Sequence, residues 1–532
     1  MRKVRIIVLT LFTLISLNAV AQLDFKPVRG NCLPDVTDVV DEVVDEVSAS
    51  RSAVRKKLPT PNTEWNPERE YRQLVVLLEF ADTTFSYADD PSAFYDNMFN
   101  TSGFNRRNGP GCVADYYRDQ SEGRLNLKFD VYGPVKVTTK AQPYDKPTAS
   151  TTNYGRDSFA EAMKKVIAEH PDIDFAVYDW NGDKKIEQVI FIYAGPSGNQ
   201  GVSTYGYVWP NTSTFTTITT ADGYKISNYT ASGELWHSKN NCISCGIGTV
   251  CHEFTHSLGL PDIYPTTDTA GYSVCDEWDL MDGGNFTNYG WCPPNYTPVE
   301  KWLMGWLSFT DLDAPATITD LKPVAEGGEA YRIKHSEDEW LILENRQQRG
   351  WDAGAPGKGL VIYHVNFNKS AWSGNTVNNN ASKRRFELVH ADNMDFDAWD
   401  AIIPGNPYLN SQRMNSRILS TSPYPWTTDS TAFINDALTD TSVPAPQMNY
   451  ANEQGEKLLN KPITNIRMDD EGFISFDFMG GDQTGMKEFR AESLGARDEV
   501  YDMMGRRIRN SQFSNSQFRI VRRPDGTVKK MF

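Results

Sequence analysis

Apolar and polar positions divide the chain into stretches of different period. Ile6 to Leu17 is an almost unbroken apolar run, set between the basic start Met1-Arg2-Lys3-Val4-Arg5 and the small residues Ala19-Val20-Ala21. The run is too short to span a bilayer comfortably. Together the three features predict an export signal, residues 1–21, cleaved after Ala21. Residues 22–70 are polar and acidic, with one amphipathic helical stretch over Asp35–Val47 and basic residues and prolines from Arg51 to Pro61. They read as a propeptide and linker, or as a loose N-terminal extension. Leu74–Phe80 and Val189–Tyr193 are short apolar runs that suit buried strands, and Ser158–His170 has helical spacing. Strands alternating with helices predict an α/β domain over 71–310. From 311 the pattern turns to short alternating strands, such as Trp340–Glu344 and Leu360–Val365. Residues 311–480 are therefore expected to form a β-sandwich.

Composition changes this picture in two places. The 532 residues carry a formal charge of −16, or −19 once Arg2, Lys3 and Arg5 leave with the signal. Nucleic-acid binding needs a basic face, so nucleic acid is not an expected partner. No other stretch approaches the roughly 20 apolar residues of a membrane helix. The tail, 485–532, reverses the sign: from Val500 to Phe532 eight Lys/Arg face two Asp/Glu. The seven cysteines (32, 112, 242, 245, 251, 275 and 292) are permitted disulfides by export. A plain disulfide role is expected for most of the cluster from 242 onward, with at least one cysteine left over.

The candidate chemistry centres on His252-Glu253-Phe-Thr-His256. Positions four apart share one helix face, so two imidazoles there can hold one Zn²⁺ while Glu253 serves as general base to the attacking water and then as acid to the leaving amine. Gly259 is where a helix stops and reverses, and Pro261 forbids continuation. Asp262 then stands where the returning chain presents a third ligand, with Glu300 in reserve. Trp278-Asp-Leu-Met281-Asp-Gly-Gly284 supplies a methionine followed by turn residues, like the Met-turn beneath the zinc of metzincins.

These motifs carry a family resemblance. His252–Tyr264, Asp115–Ser121, Trp278–Gly284 and Pro293-Pro-Asn-Tyr…Glu300-Lys resemble the immune inhibitor A family of secreted metalloproteases. Glu344-Asn-Arg-Gln…Trp351-Asp…Pro356–His364 resembles the segment that follows its catalytic domain. The resemblance spans roughly residues 70–480. It implies a metzincin-like, broad-specificity endopeptidase acting on protein or peptide substrates and made with an inhibitory prodomain. Arg29-Gly-Asn-Cys32-Leu-Pro-Asp35 looks like the cysteine switch of matrix metalloprotease prodomains, with a disulfide from Cys32 as the alternative. A catalytically inactive adhesion or binding protein on a protease fold is the rival reading; the intact His-Glu-His set argues against it.

Two further expectations concern the periphery. Asp179, Asn181, Asp183, Lys185 and Glu187 place oxygen atoms at alternate positions around Gly182, as calcium loops do. The alternative is an Asn-Gly turn with solvated acids. In the tail, Glu499–Ile508 and Ile520–Lys530 resemble the strand–turn–strand and closing hairpin of type IX sorting domains, which implies secretion machinery as a partner. The duplicated Asn-Ser-Gln-Phe at 510–513 and 515–518 departs from that pattern. The alternative is a disordered basic tail that touches acidic surfaces.

Overall fold

The structure, a computed structural model, describes residues 65–107, 109–142, 155–199, 207–236, 243–267, 273–402, 418–427 and 434–481, with four short strands between 499 and 531. The export signal, residues 22–64 of the expected propeptide and linker, Cys32 and Cys242 lie outside the described residues.

The first sheet is built from β1 (Glu70–Glu79), β2 (Asn126–Lys136), β3 (Val189–Pro196), β4 (Asn211–Thr219), β5 (Lys225–Trp236) and β6 (Ile243–Ser244). Its order is β2-β1-β3-β5-β4, with β6 also pairing β5. The strands β2, β1, β3 and β5 are parallel, and β4 runs antiparallel at the edge. Its central strands are nearly continuous apolar runs because helices cover both faces. Leu74, Val76 and Leu78 face one cluster with Phe159 and Met163 of the helix Arg156–Glu169. Val75 and Leu77 face the other, with the helices Pro91–Asn100, Val113–Gln120 and Gly248–Leu258. The last of these, hereafter the active-site helix, carries the His-Glu-His motif. It is buried from Gly248 to His256.

The second half forms two more sheets. One joins β7 (Thr310–Asp311), β9 (Tyr331–Lys334), β10 (Glu339–Arg346), β11 (Gly359–Asn366) and β12 (Phe386–Leu388) in the order β12-β11-β10-β9-β7. The other joins β8 (Ala316–Leu321), β15 (Ile463–Met468) and β16 (Ile474–Phe478); a small pair, β13 (Trp426–Thr427) and β14 (Ile434–Asn435), lies between them in sequence.

Every residue of β10 and β11 is buried, which simple alternation of buried and exposed positions does not give. The period of two persists but divides two interiors. Leu341, Leu343, Leu360 and Ile362 join a cluster with Ile474, Phe476 and Phe478 of β16. Trp340, Ile342, Val361 and Tyr363 belong to the same cluster as Phe254 and Met281 beside the active-site helix. One hydrophobic core thus crosses the expected boundary at 310–311. Polar contacts cross it too: Asp352 accepts from the Asn295 amide nitrogen (3.0 Å), Asn295 Nδ2 (2.7 Å) and Arg346 (2.5 Å), and the Trp351 indole donates to Asp119 at 2.9 Å.

The tail strands β17 (Glu499–Tyr501), β18 (Arg507–Ile508), β19 (Arg519–Arg522) and β20 (Val528–Met531) form an antiparallel sheet in the order β18-β17-β19-β20. They fall where the sequence places strands. Among the described residues no helix is long and apolar enough to cross a membrane.

Candidate metal centre

The active-site helix ends at Gly259, whose φ of 119° suits glycine and whose amide donates to the carbonyls of Thr255 and His256. The reversal brings the Leu260 carbonyl back over the last turn, where it lies 2.9 Å from His256 Nδ1. His252 Nδ1 lies 2.8 Å from the Leu280 carbonyl in the Trp278–Gly284 turn. A carbonyl can only accept, so each imidazole carries a proton on Nδ1 and turns Nε2, the atom a metal would take, away from the backbone. Both Nε2 atoms point at Asp262 Oδ1, at 3.2 Å from His252 and 3.0 Å from His256.

All three side chains are buried, and their ligand atoms lie within 4.8 Å of one another. Among the described residues this is the only such group of three or more His, Cys, Asp or Glu. Two nitrogen lone pairs and one carboxylate oxygen converging on one point is a donor set that fits a divalent cation, zinc in particular. The two backbone carbonyls are the outer contacts that orient such imidazoles. The local field has the matching sign. Burial works against a charged imidazole at His252, yet Asp262 and Glu253 outweigh it and raise its pKa.

Glu253 is buried beside this group. Thr212 Oγ1, on β4, lies 2.5 Å from the Glu253 carbonyl and 3.2 Å from Glu253 Oε2. The Tyr264 ring stacks nearly parallel to His252, 6.2 Å between centroids. Beneath, Met281 is fully buried and its carbonyl accepts from the Ile263 amide at 2.8 Å. The Met-turn expected from sequence therefore holds the active-site helix at His252, through the Leu280 carbonyl, and the loop after that helix at Ile263, through the Met281 carbonyl.

Glu300 is not part of this group. It closes a capping box on the helix Pro298–Leu303: Oε2 accepts from the Thr297 amide (2.7 Å) and hydroxyl (3.0 Å). Its other side faces Asp279. Burial pushes Glu300 up to about 7 and Asp279 well above the ordinary carboxyl range, and one proton shared between them relieves the pair.

The 179–187 loop forms a self-contained turn. Asp179 Oδ1 accepts from the amides of Gly182 (2.8 Å) and Asp183 (3.1 Å), and Oδ2 from that of Lys184 (2.8 Å). Asn181 Oδ1 accepts from Asp183 N at 3.0 Å, Asp183 Oδ1 from Lys185 N at 2.9 Å, and Lys185 Nζ pairs with Asp183 at 3.1 Å. The Glu187 backbone is held there, its carbonyl by Asn228 Nδ2 at 3.0 Å and its amide by the Tyr178 carbonyl at 3.4 Å. This Asn-Gly turn arrangement lends calcium no support.

The cysteines depart from expectation. Cys112, Cys251, Cys275 and Cys292 are buried thiols with no disulfide between them. Cys251 and Cys275 pack in the apolar core, Cys112 caps the helix Val113–Gln120, and Cys292 donates to the Trp351 carbonyl at 3.3 Å. Burial raises Cys112 and Cys292 to about 11, the setting of packed rather than reactive thiols. His364 and His390 lie outside the metal group; His364 is clamped between Glu339 (2.8 Å) and Glu387 (3.2 Å).

Comparison with known proteins bears on this geometry. Residues 67–301, a stretch of mixed sheets and helices, match the immune inhibitor A peptidase M6 catalytic domain, and within that stretch the resemblance read from the motifs holds. The chain is similar to immune inhibitor A of Bacillus thuringiensis subsp. alesti, 26% identical over 273 residues, covering 44% of this chain and 39% of that protein. It is similar to the pre-pro-metalloprotease PrtV of Vibrio cholerae serotype O1, 23% identical over 219 residues, 37% of this chain and 24% of that protein. A putative secreted metallopeptidase of Arthroderma benhamiae is 21% identical over 287 residues, 43% of this chain and 40% of its own length. The chain thus matches two fifths or less of the length of these relatives.

Proposed function

We propose that this protein is an exported zinc-dependent endopeptidase that hydrolyses peptide bonds of protein substrates. The observation that carries the reading is the convergence of His252 Nε2, His256 Nε2 and Asp262 Oδ1, with both Nδ1 atoms committed to backbone carbonyls. Those three residues would hold zinc, which supplies Lewis acidity for the scissile carbonyl and for water. Glu253 takes a proton from the attacking water and delivers it to the leaving amine nitrogen, so the base of the first half-reaction is the acid of the second. Thr212 restrains Glu253 for that task. A catalytic carboxylate on the same helix turn as two ligands has no use in an inactive adhesion protein.

We read 71–310 as the metzincin-like catalytic domain and 311–480 as a β-sandwich fused to it through the shared core. Residues 22–70 are read as propeptide and the tail sheet as a sorting signal. Export is supported by the signal-like start and by the relative described as a secreted metallopeptidase. The test is casein hydrolysis by purified protein: a chelator abolishes it, Zn²⁺ restores it, and Glu253→Ala retains metal but loses most turnover. Undiminished cleavage by Glu253→Ala refutes the mechanism.

A further inference from the structure

The third metal-facing residue does not stand on its own element. Asp262 follows the glycine turn in a loop without regular structure, and a carboxylate on such a loop has rotational freedom that two helical histidines do not. What fixes it comes from 113 positions further along the chain. Asn375 Oδ1 accepts from the Asp262 amide at 2.7 Å, and Asn375 Nδ2 donates to Asp262 Oδ2 at 2.5 Å. One side-chain amide thus grips both the backbone and the carboxylate of Asp262. It takes up Oδ2 and leaves Oδ1, the oxygen that faces both histidines.

The grip is part of a longer clamp. Asn378 Nδ2 donates to the Ile263 carbonyl at 3.0 Å and to the Phe386 carbonyl of β12 at 2.7 Å. Asn379 Oδ1 accepts from the Thr266 amide at 2.7 Å. The Thr266 hydroxyl donates to the Asn375 carbonyl at 2.8 Å. Asn378 is fully buried and Asn375 nearly so. Asn375 adopts φ +57°, a conformation asparagine tolerates better than most residues. A run of asparagines in sequence reads as a polar loop; here three of its amides are spent on residues 262–266.

We propose that this segment, which lies outside the matched stretch 67–301, completes the metal centre, with Asn375 as the positioning residue of Asp262. The inference rests on the metal-centre reading above. The catalytic half alone then presents two histidines and an unrestrained carboxylate, and the strands that follow it are part of the site's construction. Contacts of this kind around metal ligands are worth about 10- to 100-fold in affinity.

The experiment uses the full chain and reads metal retention rather than turnover alone. Asn375→Asp is nearly isosteric and tolerates the same φ, but it replaces the Nδ2 donor with an acceptor. Asn375→Gly keeps the backbone conformation without strain and removes both bonds. Zn²⁺ affinity is measured by competition with a chromophoric chelator, alongside the melting temperature of the zinc-stripped proteins. Both variants are expected to bind zinc about 10- to 100-fold more weakly than the parent, with zinc-free melting temperatures close to the parent's. Unchanged zinc affinity in either variant, or a loss matched by collapse of the zinc-free fold, overturns the assignment. If the parent chain itself binds no stoichiometric zinc, or His252→Ala binds it as tightly as the parent, the metal-centre reading fails instead.

Discussion

Glu253 and Thr212 show how much of the chemistry depends on single atoms. A glutamate has three side-chain torsions, and a base that swings among them is only occasionally aligned with its water. A hydroxyl placed between the carbonyl and one carboxylate oxygen of the same residue restrains those torsions. Thr212→Val keeps the shape and removes the hydroxyl, so kcat for a fluorescence-quenched peptide is expected to fall about tenfold with KM little changed. Thr212→Ser should recover most of the loss, and equal rates for the valine and threonine forms would dismiss the restraint. Gly259 is a second point of dependence. Its φ of 119° is costly for any other residue, and its turn delivers the Leu260 carbonyl to His256. Gly259→Ala is expected to cost about 1 kcal/mol or more of stability and to weaken zinc retention; an unchanged denaturation midpoint would show that the turn relaxes freely. The three motif residues were legible because they share one helix turn, and Asp262 because a glycine and a proline announce the reversal. Thr212 and Asn375 were not. Nothing in their local sequence sets them apart, and they reach the site only through strand order and a contact over 113 positions.

At the scale of elements, the Trp278–Gly284 turn and the helix Pro298–Leu303 are joined by two buried carboxyl groups. Each commits one oxygen to its own turn, Asp279 Oδ1 to the Met281 amide at 2.7 Å and Glu300 Oε2 to Thr297. The facing oxygens need a shared proton. Asp282, raised to about 6 by burial, and Arg346 are the other charged groups around the pair. The folded pKa of Glu300 is raised from 4.5 to about 7, so the folded protein binds more protons than the unfolded chain in that interval. Stability from this site is therefore fully present below about pH 4.5 and is lost as pH rises to about 7. Glu300→Gln supplies a permanent donor to Asp279 and should flatten the fall of Tm across that interval; an identical slope would show that the pair does not titrate there. Strands were more legible than their burial. The runs at 189–193, 340–344 and 360–365 lie within observed strands and that at 74–80 overruns β1 by Phe80 alone, but alternation within β10 and β11 separates two cores rather than core from solvent. A one-dimensional pattern cannot say whether its second face meets water or another apolar layer.

For the molecule as a whole, the β-rich half is continuous with the catalytic half through Trp340, Ile342, Val361 and Tyr363. Removing everything after residue 310 would expose that surface and take away Asn375, and the fragment is expected to be insoluble or unable to hold zinc. A soluble, active fragment would show that the second half is dispensable. The tail sheet is a different case: deletion of 485–532 should leave proteolysis intact and change only where the protein accumulates, and loss of activity would make the tail a structural domain. The segments Glu344-Asn-Arg-Gln and Trp351-Asp take part in this joint, since Arg346 and Asp352 meet Asn295 inside it. The disulfide expectation fails among the described residues, where Cys112, Cys245, Cys251, Cys275 and Cys292 are all free, buried thiols. The position of bound zinc tests the metal centre most directly. Crystals grown with Zn²⁺ and measured at the zinc absorption edge should show an anomalous peak about 2.0–2.2 Å from His252 Nε2, His256 Nε2 and Asp262 Oδ1; a peak ligated by Glu300 instead, or none between the two histidines, would contradict it.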